Sequence, residues 1–545
     1  MRDALINAIE KLTLPTQRLD AIIMKNFKEV YSEAGFDIGN MQVLVDCGDN
    51  PKAYNSARQV FNQRFQFRPW AIVYPKSAQD VSNLVRFATI INKELRIRGG
   101  GHDHEGECSA TDALVLDMRH MDKAEVDHQA GVARIQPGGI FMNLIKVLNA
   151  NNVGIPHGTC QTVGITGYTM GGGWGPWTRK QGMCCESLAG ATIVLGDGTI
   201  KELHEDTSNE ADKELLWAIR GGGGYSYGVI TELVIKTFPL PKVTHKFTAS
   251  WTTKPALEVL AAWEHAIDYN ESPNLVGTNL QIFAKPADGQ PIEKSIHDCN
   301  FFGYYAGTEA DIEAYIKEYF GNVPPDHLEI LPETEDHHLQ FTSWERVSLR
   351  RRRALKSGAP LTAAVLKDFP LEDDIPAPHK ITSRLVNEGG LGSDGQKNLI
   401  KSLESPLIFE KGEELGVLAY TTLGAISGSF YRDYDPANHP IGSAFPYKKR
   451  PFTIQYQVWW DTDPDVSPET SEYEGVNVYT NRAMDWIEET RKMDFPQTSG
   501  SFISFKDDGV PTENYFMESY DDLVRIKKKY SKDPDNRFRS RKTII

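Results

Sequence analysis

His102 and His104 stand on either side of Asp103, directly after three consecutive glycines, Gly99, Gly100 and Gly101. Imidazole is the side chain that exchanges protons near neutral pH, so such a pair is suited to acid–base work or to nucleophilic attachment of a group. The glycines add a second capacity. Backbone without a Cβ lets N–H groups approach an anion closely, and successive N–H groups in a turn form an anion nest. Two further segments share this texture: PHGTCQTVGITGYTMGGGWG (156–175), which carries Cys160, and RGGGGYSYG (220–228). One loop of this kind is usually just a turn. Three in one half of the chain, each beside a reactive or aromatic side chain, point to a long ligand with a diphosphate.

The elements around these loops must place them. WAIVYPKS (70–77) reads as a strand and AQDVSNLVRFATIINKE (78–94) as an amphipathic helix. LRIRGGG, ALVLDM, GVARIQPG, the helix FMNLIKVLNANN, GATIVLGDGTIKEL and GVITELVIKTFP follow, with glycines at element ends. Beyond PLPKVTHKF (239–247) the pattern changes to longer helices, such as PALEVLAAWEHAID and ADIEAYIKEYFG, and to alternating strands, such as FTIQYQVWW (452–460). FPLEDDIPAP (369–378) reads as an acidic, proline-rich linker. The class is therefore α+β, with a second domain built on an antiparallel sheet. The one G-x-G-x-x-G match, GLGSDG (390–395), follows the polar segment KITSRLVNEG rather than a buried parallel strand, and is read as chance.

A chain of 545 residues is too long for one compact core. With 40% hydrophobic and 24% charged residues it is neither disordered nor fibrous. The net charge of −15 disfavours nucleic acid and anionic membranes and fits a neutral or cationic small molecule. No apolar run is long enough to span a bilayer, and MRDALINAIEKLTLPTQRLD reads as an amphipathic helix, so a cytoplasmic location is expected. The 6 cysteines form no metal-type C-x-x-C pair, and adjacent Cys184 and Cys185 are poorly placed to bridge. Reduced thiols and no metal are expected.

RIRGGGHDHEG (96–106), GTCQTVGITGYTMGGGWGPWTRKQG (158–182) and LLWAIRGGGGYSYGVITELVIKTFP (215–239) together resemble the berberine bridge enzyme-like family of the vanillyl-alcohol oxidase flavoprotein superfamily. The tail YDDLVRIKKKYSKDPDNRF (520–538) resembles that family's C-terminal closure, whereas the region between about 245 and 440 matches only loosely. The resemblance implies an FAD-binding domain in two parts, residues 1–242 (with 1–50 a helical lead-in) and 509–545, and a substrate domain over 243–508. It implies FAD bonded twice, through His102 at the flavin 8α carbon and Cys160 at flavin C6. An imidazole and a thiolate are both soft enough to add to an electron-poor flavin. Arg98, Gly99, Gly100, Gly101, Asp103, Thr162, Val163, Gly164, Gly167, Gly172, Gly228, Val229 and Ile230 would complete the cofactor site. Val163 would sit where the family gates oxygen.

Three residues depart from the family pattern where catalysis is expected, and a fourth, Gln455, fits it without being able to ionise. His104 stands where a tyrosine is common, and could serve as general base. Gln455, on the face of FTIQYQVWW shared with Thr453, Gln457 and Trp459, stands where the family has a glutamate or glutamine and cannot ionise. Phe505, in GSFISFKDDG (read as a strand), replaces the tyrosine that serves alcohol oxidases as base, and Trp174 replaces another tyrosine. Met517 and Ser519 replace the usual glycine and asparagine. A pocket this aromatic suits a planar substrate. The expectation is an FAD-dependent oxidase that takes a hydride from an alcohol, amine or activated C–H of an aromatic or polycyclic small molecule and reduces dioxygen to hydrogen peroxide. The alternatives are a carbohydrate or oligosaccharide oxidase, an oxidative cyclase, and a non-redox enzyme that keeps flavin as scaffold.

Overall fold

The structure is a computed structural model that describes residues 27–331, 376–409, 417–460 and 478–545, save Cys47, Tyr225 and Asp288. Most of the proline-rich linker, the N-terminal amphipathic segment and Cys47 lie outside the described residues.

Three main sheets follow one another along the chain. The first has the order β1-β2-β4-β3, from β1 (Gln42–Val45), β2 (Ala71–Tyr74), β3 (Leu95–Arg98) and β4 (Leu114–Asp117). Strands β2, β4 and β3 run parallel, and every residue of β2 and β4 is buried, which explains their unbroken apolar runs. The helix Ala78–Ile90 makes the crossover from β2 to β3. Ser77 caps it by accepting from the Asp80 N–H, and Val81, Leu84, Val85 and Ala88 form its buried stripe.

The second sheet is antiparallel, in the order β5-β6-β10-β8-β9, from β5 (Ala124–Asp127), β6 (Val132–Ile135), β8 (Leu188–Val194), β9 (Ile200–His204) and β10 (Val229–Lys236). The short pair β7 (Val153–Gly154) and β11 (Phe238–Pro239) closes beside it. The helix Tyr520–Tyr530 of the C-terminal tail packs Leu523 and Ile526 into the core of this second sheet.

The third sheet takes over at β12 (His245–Trp251). It has seven strands, with β13 (Leu275–Phe283), β14 (Cys299–Tyr305), β15 (His327–Ile330), β16 (His379–Leu385), β17 (Leu418–Ala425) and β18 (Phe452–Trp459) in the order β15-β12-β14-β13-β17-β18-β16. Helices Ala256–Ala266, Glu309–Phe320 and Gly392–Ser402 cover one face with a core that includes Trp251, Trp263 and Trp486. The other face is left to the site.

Two sequence readings are corrected here. KITSRLVNEG, read as a polar segment, is a buried strand: residues 379–385 form the edge strand β16, buried at all but Arg384. Its pairing with β18 is antiparallel, so GLGSDG still lacks the parallel strand of a dinucleotide fold. GSFISFKDDG is not a strand: Ile503–Phe505 form a 3-10 turn. Residues 503–506 there line a cavity rather than pairing along a sheet.

Candidate active site

The first two glycine-rich loops meet backbone to backbone. A Cβ at Gly100 would lie 2.4 Å from the Gly164 nitrogen and 2.7 Å from the Thr162 carbonyl oxygen, and one at Gly164 would lie 2.5 Å from the Gly100 nitrogen. Gly101 turns the chain at φ +80°, a conformation open to glycine. These loops wall a cavity of about 320 Å³, within the range of ligand sites. Gly167 and Gly224 line it as well, and a Cβ on either would meet no protein atom within 4 Å. Bare backbone facing open volume is what a close-packed ligand requires.

His102, Asp103, His104 and Cys160 all line this cavity. The His102 ring stacks on Phe61 at a centroid distance of 3.8 Å, with its Nε2 2.6 Å from Thr162 Oγ1. Asp103 Oδ1 accepts from the N–H groups of Glu105 and Glu107, and its Oδ2 pairs with Lys506 at 2.6 Å. Burial alone would raise the Asp103 carboxyl, but Lys506 and the two N–H donors outweigh it and hold the group below its usual value. Asp103 therefore fixes the turn that presents both histidines. His104 Nδ1 lies 2.9 Å from His379 Nε2. Cys160 is half-buried, whereas burial pushes the Cys108 and Cys184 thiols up to about 12 and leaves them inert.

The open face of the third sheet forms the opposite wall. Its register places Gln281, Thr422 and Gln455 in one row across β13, β17 and β18. Asn279, Tyr420, Gln457 and Trp459 complete it. Gln457 is committed internally: its Oε1 accepts from Tyr420 and Trp459, and its Nε2 donates to Thr422. Asn279 Oδ1 is buried and has no hydrogen-bond partner among the described residues. Trp174 lies over Gly424 and gives its indole N–H to the Ala425 carbonyl, so it offers the cavity an apolar face. Phe505 closes the rim beside His104, with ring centroids 6.2 Å apart.

Residues 69–204 match the FAD binding domain model, and residues 501–545 match the berberine and berberine-like model. The chain is 26% identical to berberine bridge enzyme-like 12 of Arabidopsis thaliana, over 95% of this chain and 92% of that protein. This chain belongs to the berberine bridge enzyme-like family. It is an FAD-linked oxidoreductase of the PCMH-type flavoprotein superfamily. It is also 32% identical to the glucooligosaccharide oxidase of Sarocladium strictum, over 48% of this chain and 50% of that one. A solved glucooligosaccharide oxidase from Acremonium strictum, whose FAD is 6-S-cysteinyl and 8α-N1-histidyl, shares the fold at a TM-score of 0.71 and 19% identity, covering 95% of this chain and 98% of that one.

In this berberine bridge enzyme-like protein all four residues expected to act in catalysis, His104, Gln455, Trp174 and Phe505, reach one cavity. Among the expected cofactor residues, Gly99, Gly100, Gly101, His102, Asp103, Cys160, Val163, Gly164, Gly167 and Ile230 line it, and Thr162 touches His102. Four do not. Arg98 points inward to Asp117 at 2.5 Å, with the two side chains 1% and 0% exposed. Gly172 packs against Phe445 and Phe502. Gly228 lies against the Val194 carbonyl, and Val229 pairs with Val194 between β10 and β8. Close packing gives Gly172 and Gly228 the same signature in sequence as ligand contact. Gly100 is a partial correction, because the atoms it leaves room for are those of Gly164. Met517, where the family pattern has glycine, adopts φ +46°, the left-handed backbone that glycine would favour.

The sequence reading missed Phe61, Asn279, Gln281, Tyr420, Thr422, His379 and Lys506. Period-two alternation in LVGTNLQIF (275–283) signals Asn279 and Gln281. His379 and Lys506 carry no such local signal. For the buried Arg98–Asp117 pair, Asp117→Ala should cost about 3–5 kcal/mol, because it strands a buried guanidinium. Denaturant midpoints measure this; a loss under 1 kcal/mol would show that the pair is dispensable.

Proposed function

We propose that this protein is an oxidase with FAD bonded to both His102 and Cys160, acting on a neutral, hydroxylated aromatic small molecule. The observation that carries the reading is the single cavity that joins His102, Cys160 and His104 on bare glycine backbone to an uncharged sheet face. FAD, when bound, would supply hydride acceptance and reoxidation by dioxygen to hydrogen peroxide. The chain supplies the rest. The Thr162 contact engages His102 Nε2 and so directs the attachment to Nδ1. Gly100 and Gly164 let the two loops meet, and Gly167 and Gly224 leave the room that admits the cofactor. His104 takes the substrate proton at bond cleavage, since Phe505 and Gln455 cannot. Trp174, Phe505 and Trp459 receive a planar ring, and Asn279 Oδ1 accepts from a substrate hydroxyl.

Acid-precipitated protein should stay yellow. His102→Ala and Cys160→Ala should each retain one bond, and the double variant should lose all colour on precipitation. A colourless wild-type pellet would sink the double attachment. Val163 lines the cavity, and valine is small enough to leave dioxygen a path, so reduced enzyme should reoxidise rapidly in air-saturated buffer and Val163→Leu should slow this about tenfold. Reoxidation over minutes in the wild type, unchanged by the substitution, would identify a dehydrogenase.

A second reading, carbohydrate oxidation, is favoured by the Gln281–Thr422–Gln455 row and by Asn279, because carboxamides and hydroxyls match sugar hydroxyls. Peroxide release from reducing oligosaccharides against aryl carbinols separates the two.

A further inference from the structure

We infer that His379 is a positioning residue that sets the tautomer of His104 and receives its proton, so that the base of this site is a two-histidine relay. The inference rests on the reading of His104 as base, and the geometry that carries it is independent of any substrate. His379 Nδ1 lies 2.9 Å from the Ala377 carbonyl oxygen. A carbonyl only accepts, so His379 Nδ1 carries hydrogen and, in the neutral ring, its Nε2 carries the lone pair. That lone pair faces His104 Nδ1 at 2.9 Å, so His104 Nδ1 must donate. The hydrogen on Nδ1 leaves Nε2 as the basic nitrogen of His104. A backbone carbonyl thus fixes, through two rings, which nitrogen of the cavity histidine can take a proton.

The surroundings hold both rings in register. Asn62, fully buried, donates from Nδ2 to the His104 and His379 carbonyls and accepts the His379 N–H at Oδ1. The His379 ring lies 3.9 Å from the Trp459 ring, centroid to centroid, and is fully buried. Charged neighbours on the adjoining elements are paired with one another: Asp103 with Lys506, Glu105 with Arg64 and Lys380, and Asp507 with Lys380 and Arg491. When His104 Nε2 takes the substrate proton, the Nδ1–H bond of His104 breaks and an H–Nε2 bond forms on His379. The charge then sits on a ring that keeps its Ala377 bond and faces the indole π-system of Trp459. No electrons move in this step.

The test is the tautomer itself, read on the holoenzyme with 15N-labelled histidine by long-range proton–nitrogen correlation. His104→Asn and His379→Gln assign the two spin systems by loss of signal. In the wild type near pH 8 both residues should show protonated Nδ1 and unprotonated Nε2. His104 protonated on Nε2 would overturn the inference. His379→Phe should keep its flavin but shift His104 to the Nε2–H form, whereas His379→Gln, which retains an acceptor oxygen, should restore the Nδ1–H form. An unshifted His104 in His379→Phe also overturns it. Failure of the base reading is separate: His104→Ala would then reduce its flavin at the wild-type rate while the wild-type tautomers stay as stated.

Discussion

A Gly100→Val variant should purify without flavin and with a lowered denaturation midpoint. Its Cβ would collide with the backbone of Gly164 and Thr162, and backbone cannot rotate away as a side-chain tip can. The two loops that carry His102 and Cys160 would be forced apart, at about 1–3 kcal/mol or more for overpacking. Gly167→Val gives the contrast. No protein atom lies within 4 Å of a Cβ there, so folding should be spared while the added side chain fills the cavity. The expected pattern is low flavin in both and low stability only in the first. The ratio of flavin to protein absorbance and a denaturant midpoint measure the two. Full flavin occupancy in Gly100→Val would show that the loops need not meet to hold the cofactor.

The second large effect is expected at His104. His104→Ala should slow reduction of the flavin by substrate about a hundred- to ten-thousandfold, the range for loss of one acid–base group. Flavin content should stay at the wild-type level, because the attachment residues are untouched. A base works in its unprotonated form, so the wild-type rate should rise with pH through the titration of the pair, and the variant should lose that limb. Stopped-flow reduction across pH decides it. An unchanged rate and profile would mean that the proton leaves by another route, since neither Phe505 nor Gln455 can accept it.

The local sequence was enough for most of the elements and for the cofactor class. Glycine clusters beside histidine and cysteine mark bare backbone next to nucleophiles, and the resemblance they carry extends to the family to which the chain belongs. Period-two alternation in FTIQYQVWW assigns Gln455, Gln457 and Trp459 to one face, and the sheet shows that face turned to the cavity. GSFISFKDDG, read as a strand from the resemblance, instead holds a 3-10 turn, and its consecutive residues 503–506 line the cavity.

Tertiary structure alone decided which glycines serve a ligand and which serve packing. Gly167 and Gly228 look alike in sequence, but one faces open volume and the other the Val194 carbonyl. It also decided the neighbours of His104. His379 lies 275 residues away along the chain and Lys506 pairs with Asp103 from the far end of it. Each is brought in by the edge of the third sheet or by the turn packed beside it, elements whose own stability comes from apolar faces elsewhere. The chemistry-bearing residue types are local facts of the sequence. Which of them touch depends on how separate hydrophobic faces are buried together, and no spacing along the chain encodes that.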